Sequence, residues 1–187
     1  MLKAMCHFVS AVLPAEAAHA ELDAIAHKYG RQFKPQLNAS IKEQINLAER
    51  YFMTTTAQCD CGTPLGAHLR GRSLRRGDSM DQRKRLRLKG WSEAKIDRSL
   101  QQKQEHLSLH EQANATANSE AMESWVAFIC EVLNSGKTSS VALLLHMYDG
   151  SVEDHIQLMG REIVHTRDVS AEILGNMKED VLYEFQA

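Results

Sequence analysis

Residues 5–13 read MCHFVSAVL, and the reading of this stretch decides the fold. Successive side chains of a strand face opposite sides of a sheet, and here neither alternating set is polar. A strand of that kind needs apolar cover on both faces, which places it in a sheet interior. Pro14 ends the run. Residues 139–148, SSVALLLHMY, repeat the pattern and run into Asp149-Gly150, a turn pair. RYFMTTT at 50–56 is rich in aromatic and β-branched residues and reads as a third strand. Shorter strands are expected at 161–166 and 181–185, on either side of a helix at 169–177. Residues 15–29 carry Ala18, Leu22, Ile25 and Tyr29 at helical spacing, with Gly30 as the cap. A second amphipathic helix runs over 119–133 through Met122, Trp125, Val126, Ile129 and Leu133. Between these elements, 31–49 reads as a connection, polar in its middle and interrupted by Pro35, with one helical turn near 41–47. Strands and helices mix without strict β-α-β alternation. The expected class is therefore α+β, a mixed or antiparallel sheet packed with helices.

The chain has 187 residues, of which 43% are hydrophobic and 25% charged. That suits one domain, or one domain with an insertion, and gives no sign of wholesale disorder. No apolar run approaches the roughly 18 residues that span a bilayer. The first twenty residues superficially resemble a secretory leader, with Lys3, an apolar stretch and Ala18-His19-Ala20. Cys6, His7 and Ser10 interrupt that stretch, and only one basic residue precedes it. The expectation is a cytoplasmic, reducing compartment, where the four cysteines are thiols or ligands before they are a disulfide frame.

Net charge is −2, but the signs are segregated: residues 67–117 hold 12 Lys+Arg against 6 Asp+Glu, and the remainder sums to −8. The expected organisation is an α+β body of 1–66 and 118–187, interrupted by a basic helical insertion arm at 67–117. Within the arm, 79–89 and 92–110 read as helices broken at Gly90, and 114–119 as a polar linker. Arg70, Arg72, Arg75, Arg76, Arg83, Lys84, Arg85, Arg87 and Lys89 crowd together with only Asp78 and Asp81 opposing them. Such a cluster can neutralise several phosphates, so all of these except Arg70 are taken as candidate nucleic-acid contacts. Residues 86–100, LRLKGWSEAKIDRSL, resemble the turn and second helix of a helix-turn-helix. Gly90 would make the turn, Ser92 the cap, and Ile96 and Leu100 the inward face. Glu93 and Asp97 on that helix suit a DNA groove poorly. The competing reading is a solvated helical hairpin that docks on the acidic body or on a second copy, making a homo-oligomer.

The chemistry-bearing stretch is CDCGTPLG at 59–66. Zinc takes thiolate and imidazole in sets of four, and Cys59 and Cys61 on a tight turn can supply two. Cys6 and His7 are adjacent on a strand and point to opposite faces, so only one can join. The expected ligands are Cys59, Cys61, Cys6 and His68. The CxC spacing is tighter than usual for zinc, and a disulfide within it would be strained. Asp60, between the thiols, is expected to raise their pKa.

Other motifs are weaker. Asn134-Ser135-Gly136-Lys137-Thr138 resembles the end of a phosphate loop, but Glu131 stands where a glycine is needed, and a helix cap at Gly136 accounts for it. His106 and His110, and His19, Asp23 and His27, share helix faces without the HExxH form, and read as solvated. His146 reads as a core histidine or as a general base at a strand end. No catalytic constellation emerges. The sequence supports three classes: a binding protein with a Cys-centred zinc site, a nucleic-acid-contacting protein, or an assembly protein with no chemistry.

Overall fold

The computed structural model describes residues 6–66, 87, 91–148 and 151–186, apart from the side chains of 99 and 101–119. The chain runs β1 (Cys6–Pro14), α1 (His19–Lys28), β2 (Arg31–Pro35), α2 (Ala39–Gln44) and β3 (Glu49–Thr55). It continues through α3 (Glu93–Asn134), β4 (Ser140–Tyr148), β5 (Gly160–His165), a 3-10 turn at Thr166–Asp168, α4 (Ala171–Asn176) and β6 (Val181–Gln186). Six strands form one mixed sheet in the order β2-β3-β1-β4-β6-β5. All neighbours are antiparallel except β5 and β6. The fold class is α+β, and the two strands without a polar face, β1 and β4, lie together at its centre.

Each central strand divides its side chains between two cores. Val9, Ala11 and Leu13 of β1, with Val141, Leu143 and Leu145 of β4, pack beneath Leu22 of α1 and Trp125, Phe128 and Ile129 of α3. The opposite set, Val12, Ala142 and Leu144, meets Tyr51, Tyr148 and Leu182 under Ile41 of α2 and Ile156. Polar groups on this second face are satisfied internally. The Tyr51 hydroxyl donates to Ser10 Oγ at 2.8 Å and lies 3.1 Å from the Tyr148 hydroxyl. Burial pushes both phenols above their ordinary pKa.

A clasp crosses that face. Arg161 of β5 makes a two-pronged pair with Glu49 of β3 at 2.7 and 2.8 Å, and reaches Glu184 of β6 at 2.7 Å. Four strand spacings separate β3 from β5, about 19 Å on a flat sheet. One arginine and one glutamate cannot span that gap, so the pair requires a strongly twisted, concave face.

Two expectations need correction. Residues 31–35 form an edge strand where a connection was expected. Only Phe33 of β2 is fully buried, so the segment lacks the apolar alternation of a strand, and Pro35 is tolerated because it ends an edge. Residues 114–119 are not a linker. They lie inside α3, an unbroken helix of 42 residues, about 63 Å long. Asn, Thr and Ser disfavour a helix only mildly, and neither Gly nor Pro breaks it. Gly30 and Gly136 take φ of +67° and +65° just beyond helix ends, as caps do.

Among the described residues, no strand arises between Thr55 and Ser140, and no helix is long and apolar enough to cross a membrane. His68, Arg72, Arg75, Arg76, Arg83, Lys84, Arg85 and Lys89 lie outside the described residues. The turn expected at 149–150 does too.

Candidate thiolate metal centre

The register of β1 against β3 runs only from Ser10 to Pro14. The same edge of β1 from His7 to Val9 still needs partners, and the turn after β3 supplies them. Thr54 Oγ1 donates to the Val9 carbonyl at 2.6 Å, and the Asp60 N–H to the His7 carbonyl at 2.8 Å. The Asp60 carboxylate then accepts the Val9 N–H at 2.8 Å. Asp60 thus completes the sheet edge with its main chain and its side chain together.

That role turns Asp60 inward, where it is fully buried. A buried carboxylate requires a compensating charge. Arg31 provides one through an Nη1–Oδ1 contact of 2.6 Å, and its guanidinium lies 4.0 Å from the centre of the Trp125 ring. The turn closes on the Asp60 carbonyl, which accepts from the Thr63 N–H at 2.8 Å and the Thr63 hydroxyl at 2.9 Å. Gly66 passes so close that a β carbon there would stand 2.1 Å from the same oxygen.

With Asp60 facing in, Cys59 and Cys61 share the opposite side of the turn, as residues two apart in extended chain do. Cys6, at the start of β1, completes a group whose three sulfurs all lie within 4.8 Å of one another. These three cysteines could hold a metal ion. Sulfurs bound tetrahedrally to one zinc are about 3.8 Å apart, so a contraction of at most about 1 Å would close the set. The thiols are half-buried, and none is in a disulfide. The His7 N–H donates to Cys61 Sγ at 3.2 Å. The backbone N–H of Cys61 lowers the Cys59 pKa below its ordinary value and outweighs partial burial. Cys6 is shifted upward by partial burial and by its hydrogen bond to Cys59. Asp60 does raise Cys59, as expected, but only as a lesser influence. The net shift is downward, because the inward-facing carboxylate is the weaker neighbour of the thiol.

His7 does not join the group, as strand geometry required. It is buried on the other face, where its Nε2 lies 2.9 Å from Glu179 Oε1. Of the basic candidates only Arg87 is described. It is exposed and paired with Glu93 at 2.5 Å, so its charge is engaged within the chain. His146 is held by Asp180 at 2.5 Å and lies edge-on to Tyr148 at 4.5 Å. His19 is half-buried rather than exposed: it donates to the Phe33 carbonyl at 2.6 Å and stacks on Phe52.

Sequence reasoning missed the residues that support the thiols. Asp60 reads as a surface carboxylate on a polar turn, and Arg31 opens a strand that composition hides. Gly66 was visible only as a turn former. No protein family, curated protein or solved structure matches the chain, so the functional reading rests on this geometry.

Proposed function

We propose that this protein binds a thiophilic metal ion, zinc in the first instance, through Cys6, Cys59 and Cys61, and that the ion pins the 59–66 turn to β1. The convergence of three sulfurs within 4.8 Å from segments more than fifty residues apart carries this reading. The N–H donors at Cys59 and Cys61 support it, since outer hydrogen bonds orient thiolates and offset their charge. Structural zinc takes four ligands, and catalytic zinc takes three from the protein with a water in the fourth position. His68 is the residue proposed for that fourth position.

Metal analysis of protein purified without chelator tests the proposal, together with the thiolate-to-metal absorption of the cobalt-substituted protein. The expected result is about one zinc per chain, held less tightly as pH falls because the thiols must give up their protons to bind. Cys6→Ser, Cys59→Ser and Cys61→Ser should each lose the ion and melt at lower temperature. His68→Ala should weaken binding if the imidazole is a ligand and leave it unchanged if water is. Metal-free protein that takes up neither zinc nor cobalt would sink the proposal. The basic residues from Arg72 to Lys89 would then come first, with salt-dependent nucleic-acid binding as their test.

A further inference from the structure

Three sulfurs close enough to share an ion are also close enough to react with one another. We infer that hydrogen peroxide oxidises Cys6 and Cys59 to a disulfide and thereby expels the metal, so that occupancy of the site follows the redox state around it. The inference rests on the metal reading above and adds the regulation of that site.

Access comes first. All three cysteines are half-buried rather than sealed, and a small oxidant reaches sulfur that solvent reaches. Cys59 and Cys61 are separated by one residue, so a bond between them would be strained. Cys6 comes to the turn from another strand and lies within 4.8 Å of both turn sulfurs, a gap that side-chain rotation can close. Cys61 Sγ is engaged by the His7 N–H at 3.2 Å, whereas Cys6 and Cys59 hydrogen-bond to each other. Cys6 and Cys59 are therefore the reacting pair. The turn does not need the ion to keep its place. Asp60 holds it to β1 through the His7 carbonyl and the Val9 N–H, both at 2.8 Å, and through Arg31 at 2.6 Å. The sulfurs thus stay together when the ion leaves, and an exposed disulfide of this kind is readily reduced.

The step transfers two electrons. One sulfur attacks a peroxide oxygen, the O–O bond breaks, and a sulfenic acid forms as the other oxygen leaves as water. The second sulfur then attacks the sulfenic sulfur; the S–S bond forms and the S–O bond breaks to release a second water. The cysteines lose two electrons and the peroxide gains them. In the metal-bound protein both thiols have already lost their protons, so solvent supplies the two protons that the waters need. Cys61 alone remains, and it cannot hold zinc, which takes at least three ligands from a protein.

Hydrogen peroxide is the probe, applied to the zinc-loaded full chain, with a chromogenic chelator reporting released zinc. Cleavage before Asp60 separates Cys59 from Cys61, so peptide mapping without reductant tells the possible links apart. The expected result is release of about one zinc per chain, a Cys6–Cys59 link, and recovery of zinc binding after dithiothreitol. Cys130→Ser, outside the cluster, should behave as the parent does. In metal-free protein Cys61→Ser should form the same link, and Cys6→Ser should not. Zinc that stays bound under peroxide overturns the inference and leaves the metal reading intact. So does release with a different link, or with oxidation that dithiothreitol does not reverse. A chain that takes up no zinc sinks both, and metal analysis shows this before any oxidant is added.

Discussion

Gly66 is the residue on which the turn depends most directly. Its neighbour across the turn is a backbone oxygen, which cannot rotate away as a side chain can. At Gly62, four residues earlier, an added β carbon would meet nothing within 4 Å. Gly66→Ala should therefore displace the 59–66 turn, weaken metal binding and lower the melting temperature, whereas Gly62→Ala should leave metal binding as in the parent. Titration of zinc into both variants checks this, and equal behaviour would mean that the close approach has no consequence. Cys59 and Cys61 were legible as a pair because only Asp60 separates them in sequence. Cys6 became a partner only by supposing that its strand neighbours 50–56, as consecutive elements often do. Asp60, Arg31 and Trp125 were not legible. Their association spans 29 residues in one direction and 65 in the other, and no local pattern marks a carboxylate on a turn as the hydrogen-bond partner of a distant strand.

At the scale of the element, legibility followed apolar periodicity. β1 and β4 declared themselves because they are covered on both faces, and that cover fixes what truncation costs. Leu144 is fully buried, while Phe8 is half-buried with its ring edge-on to Tyr148 at 5.4 Å. Leu144→Ala should cost about 2–5 kcal/mol, and Phe8→Ala less than the roughly 3–5 kcal/mol of a fully buried phenylalanine. Urea unfolding of the two variants measures both costs. A loss below about 1 kcal/mol at Leu144 would contradict its place in the core. β2 stayed hidden because an edge strand with one buried side chain needs no alternation. In α3 the C-terminal half was legible through its buried stripe, whereas the polar stretch at 114–119 suggested a break. Polar composition by itself does not end a helix, since Asn, Thr and Ser disfavour one only mildly and neither Gly nor Pro occurs there.

At the scale of the whole molecule, the Arg161 clasp makes stability depend on pH. Burial alone would raise the Glu49 pKa, but hydrogen bonds from Arg161 and from the Asn46 backbone hold it below the ordinary value of 4.5. A depressed carboxylate pKa contributes stability that is present above the unfolded value and is lost as pH falls through the folded one. Glu49→Gln should therefore be less stable than the parent at neutral pH and converge on it below about pH 4.5, as Glu49 of the parent protonates. Urea unfolding at about pH 7 and at about pH 3–4 reads the difference, and a gap that does not narrow in acid would show that the pair is not the cause. The sheet order itself, with β1 between β3 and β4, has a consequence during synthesis. Residues 56–139 must be translated between the strands that flank β1. At about 5–20 residues per second this takes roughly 4–17 seconds. Throughout that interval the nascent chain can cover one side of its most apolar strand while the other waits for a partner the ribosome has not yet made.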